Sequence, residues 1–241
     1  MLILPIRESF AATPRAHVIR LDLQRHSFSY RPGQAAYLQP EGAPKRRPYS
    51  LASAPEETDR HQGLEFLVQT DTSGTSGLSP ALIKSGTAVA VDGPFGSFVF
   101  PEHPIEHRFL FIAGGTGIAP LRSMLRHALV AERDGRIGLI YSVRSPEELA
   151  YREEFERLDA EGRVTFRHTV TRAVNDGWTG RLGRIDAECL KDMIAPGETL
   201  CFVCGPPALV GEIPPQLRQL GVQDHQIRIE QWGEWRQNPI A

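Results

Sequence analysis

Arg47-Pro48-Tyr49-Ser50 sets a cation, an aromatic plane and a hydroxyl side by side. Such a set can pair a phosphate, stack on a flat ring and hydrogen-bond a ring heteroatom. Pro48 keeps Arg47 extended, so the run reads as a strand with Arg47 and Tyr49 on one face and Ser50 on the other. A second stretch, Ala113-Gly114-Gly115-Thr116-Gly117-Ile118-Ala119-Pro120, follows an apolar run of strand type. Its glycines allow a tight turn and close backbone approach, and Pro120 suits the first turn of a helix. The free N–H groups of that turn would face an anion such as a pyrophosphate. Gly115-x-Gly117 lacks the third glycine of the dinucleotide fingerprint, with Pro120 near its place. Another glycine-rich turn, ending in Gly77-Leu78-Ser79-Pro80, offers a second phosphate-type site.

The elements that must carry these residues change character along the chain. The first hundred residues read as short strands at 16–23, 34–38, 48–52, 64–69 and 88–91, broken by Pro-Gly and Gly-Pro turns, with one helical candidate at 79–84. That pattern predicts a closed antiparallel β-barrel or a sandwich. Beyond residues 101–107 strands and helices alternate: strand 109–113, helix 120–132, strand 136–143, helix 146–158, strand 164–170, helix 186–193, strand 199–204, helix 207–220 and strand 226–229. The alternation predicts an α/β parallel sheet, giving two domains, 1–103 and 104–241. Ligands of such a sheet bind outside the carboxyl ends of its strands. Three turns fall there: Gly114, Gly115, Thr116 and Gly117; Arg144 and Ser145; Gly205 and Pro206. Arg144 lies where a ribose 2′-substituent is expected, and no acidic residue occupies 141–144, so NADPH is favoured over NADH.

Composition narrows the class. A net charge of −2 gives no support for nucleic acid or an anionic membrane as the main partner. No apolar run approaches the ~20 residues of a spanning helix. Three cysteines make no disulfide framework, which places the chain by default in a reducing cytoplasm. Cys201 and Cys204, three apart on a strand, point to opposite faces and are poorly placed to share a metal or a bridge. With only Cys189 besides, a four-cysteine iron–sulfur cluster within the chain is excluded. His103 and His107 flank Pro104 with no third ligand nearby and read as a solvated linker; no metal site is expected.

Taken in order, Pro32-Gly33-Gln34, Arg47-Pro48-Tyr49-Ser50, Gly77-Leu78-Ser79, Gly93-Pro94-Phe95-Gly96, the Gly114-to-Pro120 turn, Cys204-Gly205-Pro206-Pro207 and Glu230 resemble the ferredoxin–NADP reductase superfamily of flavin-dependent reductases. The resemblance spans essentially the whole chain. It implies a flavin-binding barrel followed by a nicotinamide-dinucleotide domain. Arg47 would bind the flavin's phosphate, Tyr49 would stack on its ring and Ser50 would reach its N5 edge. Leu67, Val68 and Gln69 would run along the cofactor, and Gly77, Leu78 and Ser79 would cradle its diphosphate. FAD is implied in preference to FMN. The Gly114-to-Pro120 turn would take the pyrophosphate of NADPH or NADH, Arg144 its adenosine end, and Cys204 would sit beside the nicotinamide. Glu230 and Trp232 match an acidic and an aromatic residue near the family's carboxyl end. Residues 233–241 extend past that point, which leaves open whether Trp232 covers the nicotinamide, covers the adenine or packs elsewhere.

The activity so implied is hydride transfer from NAD(P)H to the flavin, with Ser50, Cys204 and Glu230 at the reacting atoms. The electrons would pass to a separate acceptor protein, such as a ferredoxin, a flavodoxin or an oxygenase component. The alternative is a flavin-binding electron-transfer subunit of a larger complex, with little activity alone. A dehydrogenase with a non-flavin barrel would leave the Arg47–Ser50 run without a purpose.

Overall fold

The computed structural model describes residues 1–71, 77–132, 135–172 and 178–231. Six strands form the first sheet: β1 (Leu2–Thr13), β2 (Ala16–Asp22), β3 (Ala35–Pro40), β4 (Arg47–Ser50), β5 (Gly63–Gln69) and β6 (Ala88–Phe95), with helix α1 (Pro55–His61) before β5. Every pairing is antiparallel, in the order β4-β3-β6-β1-β2-β5. The two ends meet: Leu51 bridges Phe66, and the Ala52 N–H donates to the Glu65 carbonyl at 2.8 Å. The sheet is therefore closed into the expected barrel, which removes its free edges. Leu4, Ile19, Leu21, Leu38, Phe66 and Val91 fill its interior.

The second sheet is parallel, and three of its inner strands, 108–114, 136–143 and 199–205, are buried on both faces and largely apolar without alternation. Its strands are β7 (Arg108–Gly114), β8 (Arg136–Val143), β9 (Thr165–Val170), β10 (Arg181–Leu182), β11 (Thr199–Gly205) and β12 (Ile227–Gln231), interleaved with α2 (Ile118–Ala131), α3 (Arg152–Ala160), α4 (Ala187–Leu190) and α5 (Pro207–Gln219). The order β10-β9-β8-β7-β11-β12 reverses between β7 and β11. Cys201 faces one layer of core and Cys204 the other, as their spacing requires. Among the described residues no helix is long and apolar enough to cross a membrane.

Several local expectations differ from what is found. Among them, the helix expected at 186–193 is α4 followed by a 3-10 turn, Lys191–Met193, and β10 has no counterpart in the sequence reading. The longest strand, β1, has no counterpart in the sequence reading. It pairs with β6 as far as Pro5 and with β2 from Ile6, with irregular register at Ile6/Glu8 and Ala11/Thr13, so its side chains lose the strict alternation by which strands are recognised. Helix α1 likewise has no counterpart there. Ala54 precedes it, and the Glu57 carboxylate, reaching back to the Ala54 N–H at 3.0 Å, caps it in place of a Ser or Thr. The helix expected at 146–158 splits into a 3-10 turn (Pro146–Glu148) and α3, because Tyr151 takes a left-handed φ of 60° between them. The helical candidate at 79–84 is only a 3-10 turn, Pro80–Leu82.

Gly211 lies inside α5 with no atom within 4 Å of where its Cβ would stand. Gly211→Ala should therefore stabilise the protein by about 0.5–1 kcal/mol, read as a higher urea midpoint. A lower midpoint would mean that this helix is not packed as described.

Candidate functional site

The glycine turn leaves β7 at the point where the strand order reverses, the place at which open parallel sheets bind ligands. Gly115, Thr116 and Gly117 form a 3-10 turn that runs directly into α2. Close approach by the turn after β11 requires the glycines. A Cβ on Gly117 would lie 2.4 Å from the Cys204 carbonyl oxygen, and one on Gly114 would lie 2.7 Å from Pro206 Cδ. From the neighbouring strand, the buried Tyr141 hydroxyl donates to the Gly115 carbonyl at 2.9 Å and pins the turn, while burial pushes that phenol's pKa up.

A cavity of about 500 Å³ opens over this turn. The structure brings together there residues from all three turns singled out in the sequence: Gly114, Gly115 and Thr116, then Arg144, then Pro206. Gly117, Pro120 and Gly205 are buried beneath it, and Ser145 turns away to open the 3-10 turn that follows. Among the described residues Arg144 and Arg172 have no side-chain ion pair, and the Arg172 N–H donates to the Arg144 carbonyl at 3.1 Å. The barrel contributes Thr13, Arg15, Ala16, Leu67 and Gln69 to the same wall. Sequence reasoning missed Tyr141, Arg15 and Arg172. Nothing in the chain's order links Arg15, on the turn between β1 and β2, to a cavity at the far sheet.

All four residues of β4 are partly exposed. Tyr49 packs against the barrel core, and burial pushes its hydroxyl up to about 12. Arg47 and Tyr49 thus form a half-open shelf with a charge and an aromatic face. The second glycine turn is held against the end of β5: the Leu78 N–H donates to Gln69 O at 2.9 Å, and a Cβ on Gly77 would fall 2.4 Å from that oxygen. Leu67, Val68, Gln69, Gly77, Leu78 and Ser79 therefore make one continuous stretch of wall. The glycine there serves the turn's close approach to the end of β5, and it is the donor set on β4, a cation, an aromatic face and a hydroxyl, that fits a flavin nucleotide. Trp232 and residues 72–76 lie outside the described residues.

Cys204 and Glu230 are opposite each other on β11 and β12, with Sγ 3.9 Å from Oε2. Burial pushes the Glu230 carboxyl up to about 7, and the same burial and the neighbouring carboxyl hold the Cys204 thiol well above its ordinary value. A carboxyl held above its unfolded value stabilises the fold at low pH and loses that contribution as pH rises from about 4.5 to 7. Thermal midpoints measured between pH 5 and 8 should fall across this window in the wild type. Glu230→Gln should remove the step; an unchanged step would assign it to another group.

The barrel and the second domain are joined along α2 by a buried ionic cluster. Arg122 Nη1 donates to the Ala52 carbonyl at 2.7 Å and lies 3.1 Å from Glu57, while its Nε bonds Glu154 at 2.8 Å. Glu65 stands 3.5 Å away, and the guanidinium covers the Tyr151 ring at 4.8 Å. Burial opposes the charge on Arg122, but Glu154, Glu65 and Glu57 outweigh it and hold the guanidinium protonated. Ser123 Oγ donates to the Ser53 carbonyl at 2.7 Å, and Arg126 and His127 pair with Glu57 and Glu56.

A closed antiparallel barrel is thus followed by a parallel sheet with a glycine turn at its reversal point. Residues 111–213 match the family model described as the oxidoreductase NAD-binding domain. Solved structures share the whole arrangement. A cytochrome P450 reductase from Amycolatopsis superposes with a TM-score of 0.82 at 22% identity, over 95% of this chain and 69% of that one. A ferredoxin NADP+ reductase from Neisseria gonorrhoeae with bound FAD and NADP gives 0.77 at 24% identity, over 95% and 98%. The chain thus shares the two-domain fold of these reductases, and its second domain carries the match to the oxidoreductase NAD-binding domain. Among curated proteins, the F subunit of the Na(+)-translocating NADH-quinone reductase of Yersinia pestis is 33% identical over 208 residues, 79% of this chain and 49% of its own length. The Klebsiella pneumoniae counterpart is 32% identical over 82% and 51%. The chain spans about half the length of these relatives.

Proposed function

We propose that residues 1–103 hold FAD along β4 and residues 104–241 hold NAD(P)H, making the chain a flavoprotein reductase that passes electrons to a separate acceptor. One observation carries this reading: the cavity over the glycine turn is walled on its other side by the barrel's own Leu67 and Gln69. A dinucleotide lying in that cavity reaches the barrel strand that leads to the phosphate-type turn at Gly77. The Neisseria structure, which contains FAD and NADP, supports the same pairing of ligands.

When bound, the flavin would supply hydride acceptance and release of single electrons, chemistry that no side chain of the protein offers. The protein's own part is binding and orientation, worth on the order of 7–11 kcal/mol at best. Arg47 pairs the flavin's phosphate, Tyr49 offers a face to its ring and Ser50 donates a hydroxyl to the ring's N5 edge. Gly114, Gly115 and Thr116 face the dinucleotide's pyrophosphate. Arg144 and Arg172 receive its adenosine end, where two guanidinium groups together favour a 2′-phosphate. Cys204 excludes water beside the nicotinamide, and Glu230 holds a proton at its carboxyl below about pH 7.

The test is the absorption spectrum of the purified protein, followed by anaerobic titration with NADPH and, separately, NADH. A flavin spectrum bleached by either donor is expected, with NADPH the tighter. A colourless protein that takes up no added FAD would refute the assignment. Ser50→Ala should slow flavin bleaching about a hundredfold while FAD affinity stays within threefold. Equal rates would remove Ser50 from the reaction.

The curated relatives are parts of a larger reductase, which favours a second reading, an electron-transfer component that works only within such an assembly. It expects the isolated protein to be bleached by NAD(P)H yet to reduce artificial acceptors poorly.

A further inference from the structure

Arg15 stands on the turn between β1 and β2, at the edge of the barrel, yet its side chain crosses to the other domain. Its Nη2 donates to Glu148 Oε1 at 2.6 Å. The backbone beneath it is held twice: its N–H donates to Thr13 Oγ1 at 3.2 Å, and its carbonyl accepts from the Thr70 N–H at 2.8 Å. The guanidinium therefore swings from a fixed pedestal. Both Arg15 and Glu148 line the cavity over the glycine turn, whose charged lining is otherwise Arg144, Arg172, Arg184 and Glu212. Arg184 and Glu212 are joined to each other. The remaining carboxylate, Glu148, faces inward beside an arginine that nothing in the barrel requires it to balance. The side chain of Glu148 is 18% exposed and that of Arg15 49%, so the pair sits at the mouth with its acidic member on the inner side.

We propose that Arg15 is a phosphate ligand supplied by the barrel, and that Glu148 is the stand-in it leaves when a dinucleotide phosphate enters. The proposal rests on the dinucleotide reading of the cavity and adds a residue from the other domain to it. The chemistry follows from exchange of partners. Guanidinium binds carboxylate and phosphate through the same planar fork, so one geometry serves both. Before a ligand enters, Glu148 neutralises Arg15 and keeps it extended across the domain boundary. A polyanion in the cavity offers Arg15 a more highly charged partner, and each ligand phosphate gained displaces one carboxylate contact. The dinucleotide would thus be gripped from both domains, and Glu148 would subtract from its affinity by competing for the same group.

The experiment is calorimetric titration with two probes that lack nicotinamide, ADP-ribose and 2′-phospho-ADP-ribose. The proteins are the full chain, Arg15→Ala, Glu148→Gln and the double variant, each checked for an unchanged circular dichroism spectrum and thermal midpoint. Arg15→Ala should weaken binding about ten- to a hundredfold, the usual worth of a charge-assisted hydrogen bond. Glu148→Gln should tighten it severalfold, and the double variant should match Arg15→Ala alone. Equal weakening for both probes assigns Arg15 to the pyrophosphate; weakening for the 2′-phosphorylated probe alone assigns it to the 2′-phosphate. Unchanged affinity in Arg15→Ala, with the wild type binding normally, overturns the proposal and leaves the dinucleotide site standing. A gain from Glu148→Gln that persists undiminished in the double variant overturns the exchange, because Glu148 would then act on the ligand by its own charge. Wild-type protein that binds neither probe overturns the dinucleotide reading itself and the proposal with it.

Discussion

Arg122→Ala is expected to lower the stability of the folded chain by about 3–5 kcal/mol, the range for removing one partner of a buried ion cluster. Arg122 is 7% exposed, and Glu57, Glu65 and Glu154 surround it. Without the guanidinium, Glu57 and Glu154 would be left with Arg126 and Glu65 with Arg20, and the Ala52 carbonyl would lose its donor. The cost comes from charges left unpaired more than from the attraction lost, since burial of even a well-made cluster returns little net stability. Thermal melting should show it as a midpoint lower by about 10 °C. A change below about 1 kcal/mol would mean that water reaches the cluster. Arg122→Met combined with Glu154→Gln should recover part of the loss, because it removes charge of both signs together.

The second large effect is expected at Gly117. A methyl group there would meet Cys204 O at 2.4 Å, Cys204 C at 2.7 Å and Gly205 N at 2.9 Å, all backbone atoms with no rotamer to yield. Gly117→Ala must therefore push the end of β7 away from the end of β11, with a cost of about 1–3 kcal/mol in strain. The displaced segment is the floor of the cavity proposed to take the dinucleotide. Affinity for ADP-ribose should fall by a hundredfold or more, while the spectrum of the flavin proposed for the barrel should change little. An Ala variant with wild-type affinity would show that the floor tolerates a shift of about an ångström, and the pyrophosphate assignment would fall.

Legibility in the sequence followed the range of the forces involved. The parallel sheet was readable because burial on both faces writes continuous apolar runs such as 109–113 and 199–204, which need no knowledge of their neighbours. The glycine turns were readable for a related reason: a residue without a Cβ marks a backbone that another backbone approaches. β1 was hidden because it serves two partners, changing from β6 to β2 just past Pro5, and its irregular register erases the alternation. The site was legible where one segment carries it, as in Arg47-Pro48-Tyr49-Ser50. It was illegible where two distant segments meet. Arg122 and Ser123 interrupt the apolar side of α2 beside Leu121, Met124 and Leu125, a signal that something polar must be waiting opposite. Only the fold shows that what waits is Ala52, Ser53, Glu57 and Glu65 of the barrel.

That seam also sets a rule for recombining domains. The recurrent family segment, 111–213, looks like a unit that could be exchanged between relatives. It carries Arg122, Arg126 and His127, whose partners Glu56, Glu57 and Glu65 lie outside it, while Glu154 lies within it. A chimera that takes the segment from a relative with a different pattern would bury mismatched charge at the junction, however well each half is built. Compatible halves must be inherited as matched sets, so the charges along α2 work as a code for which barrel this domain can accept.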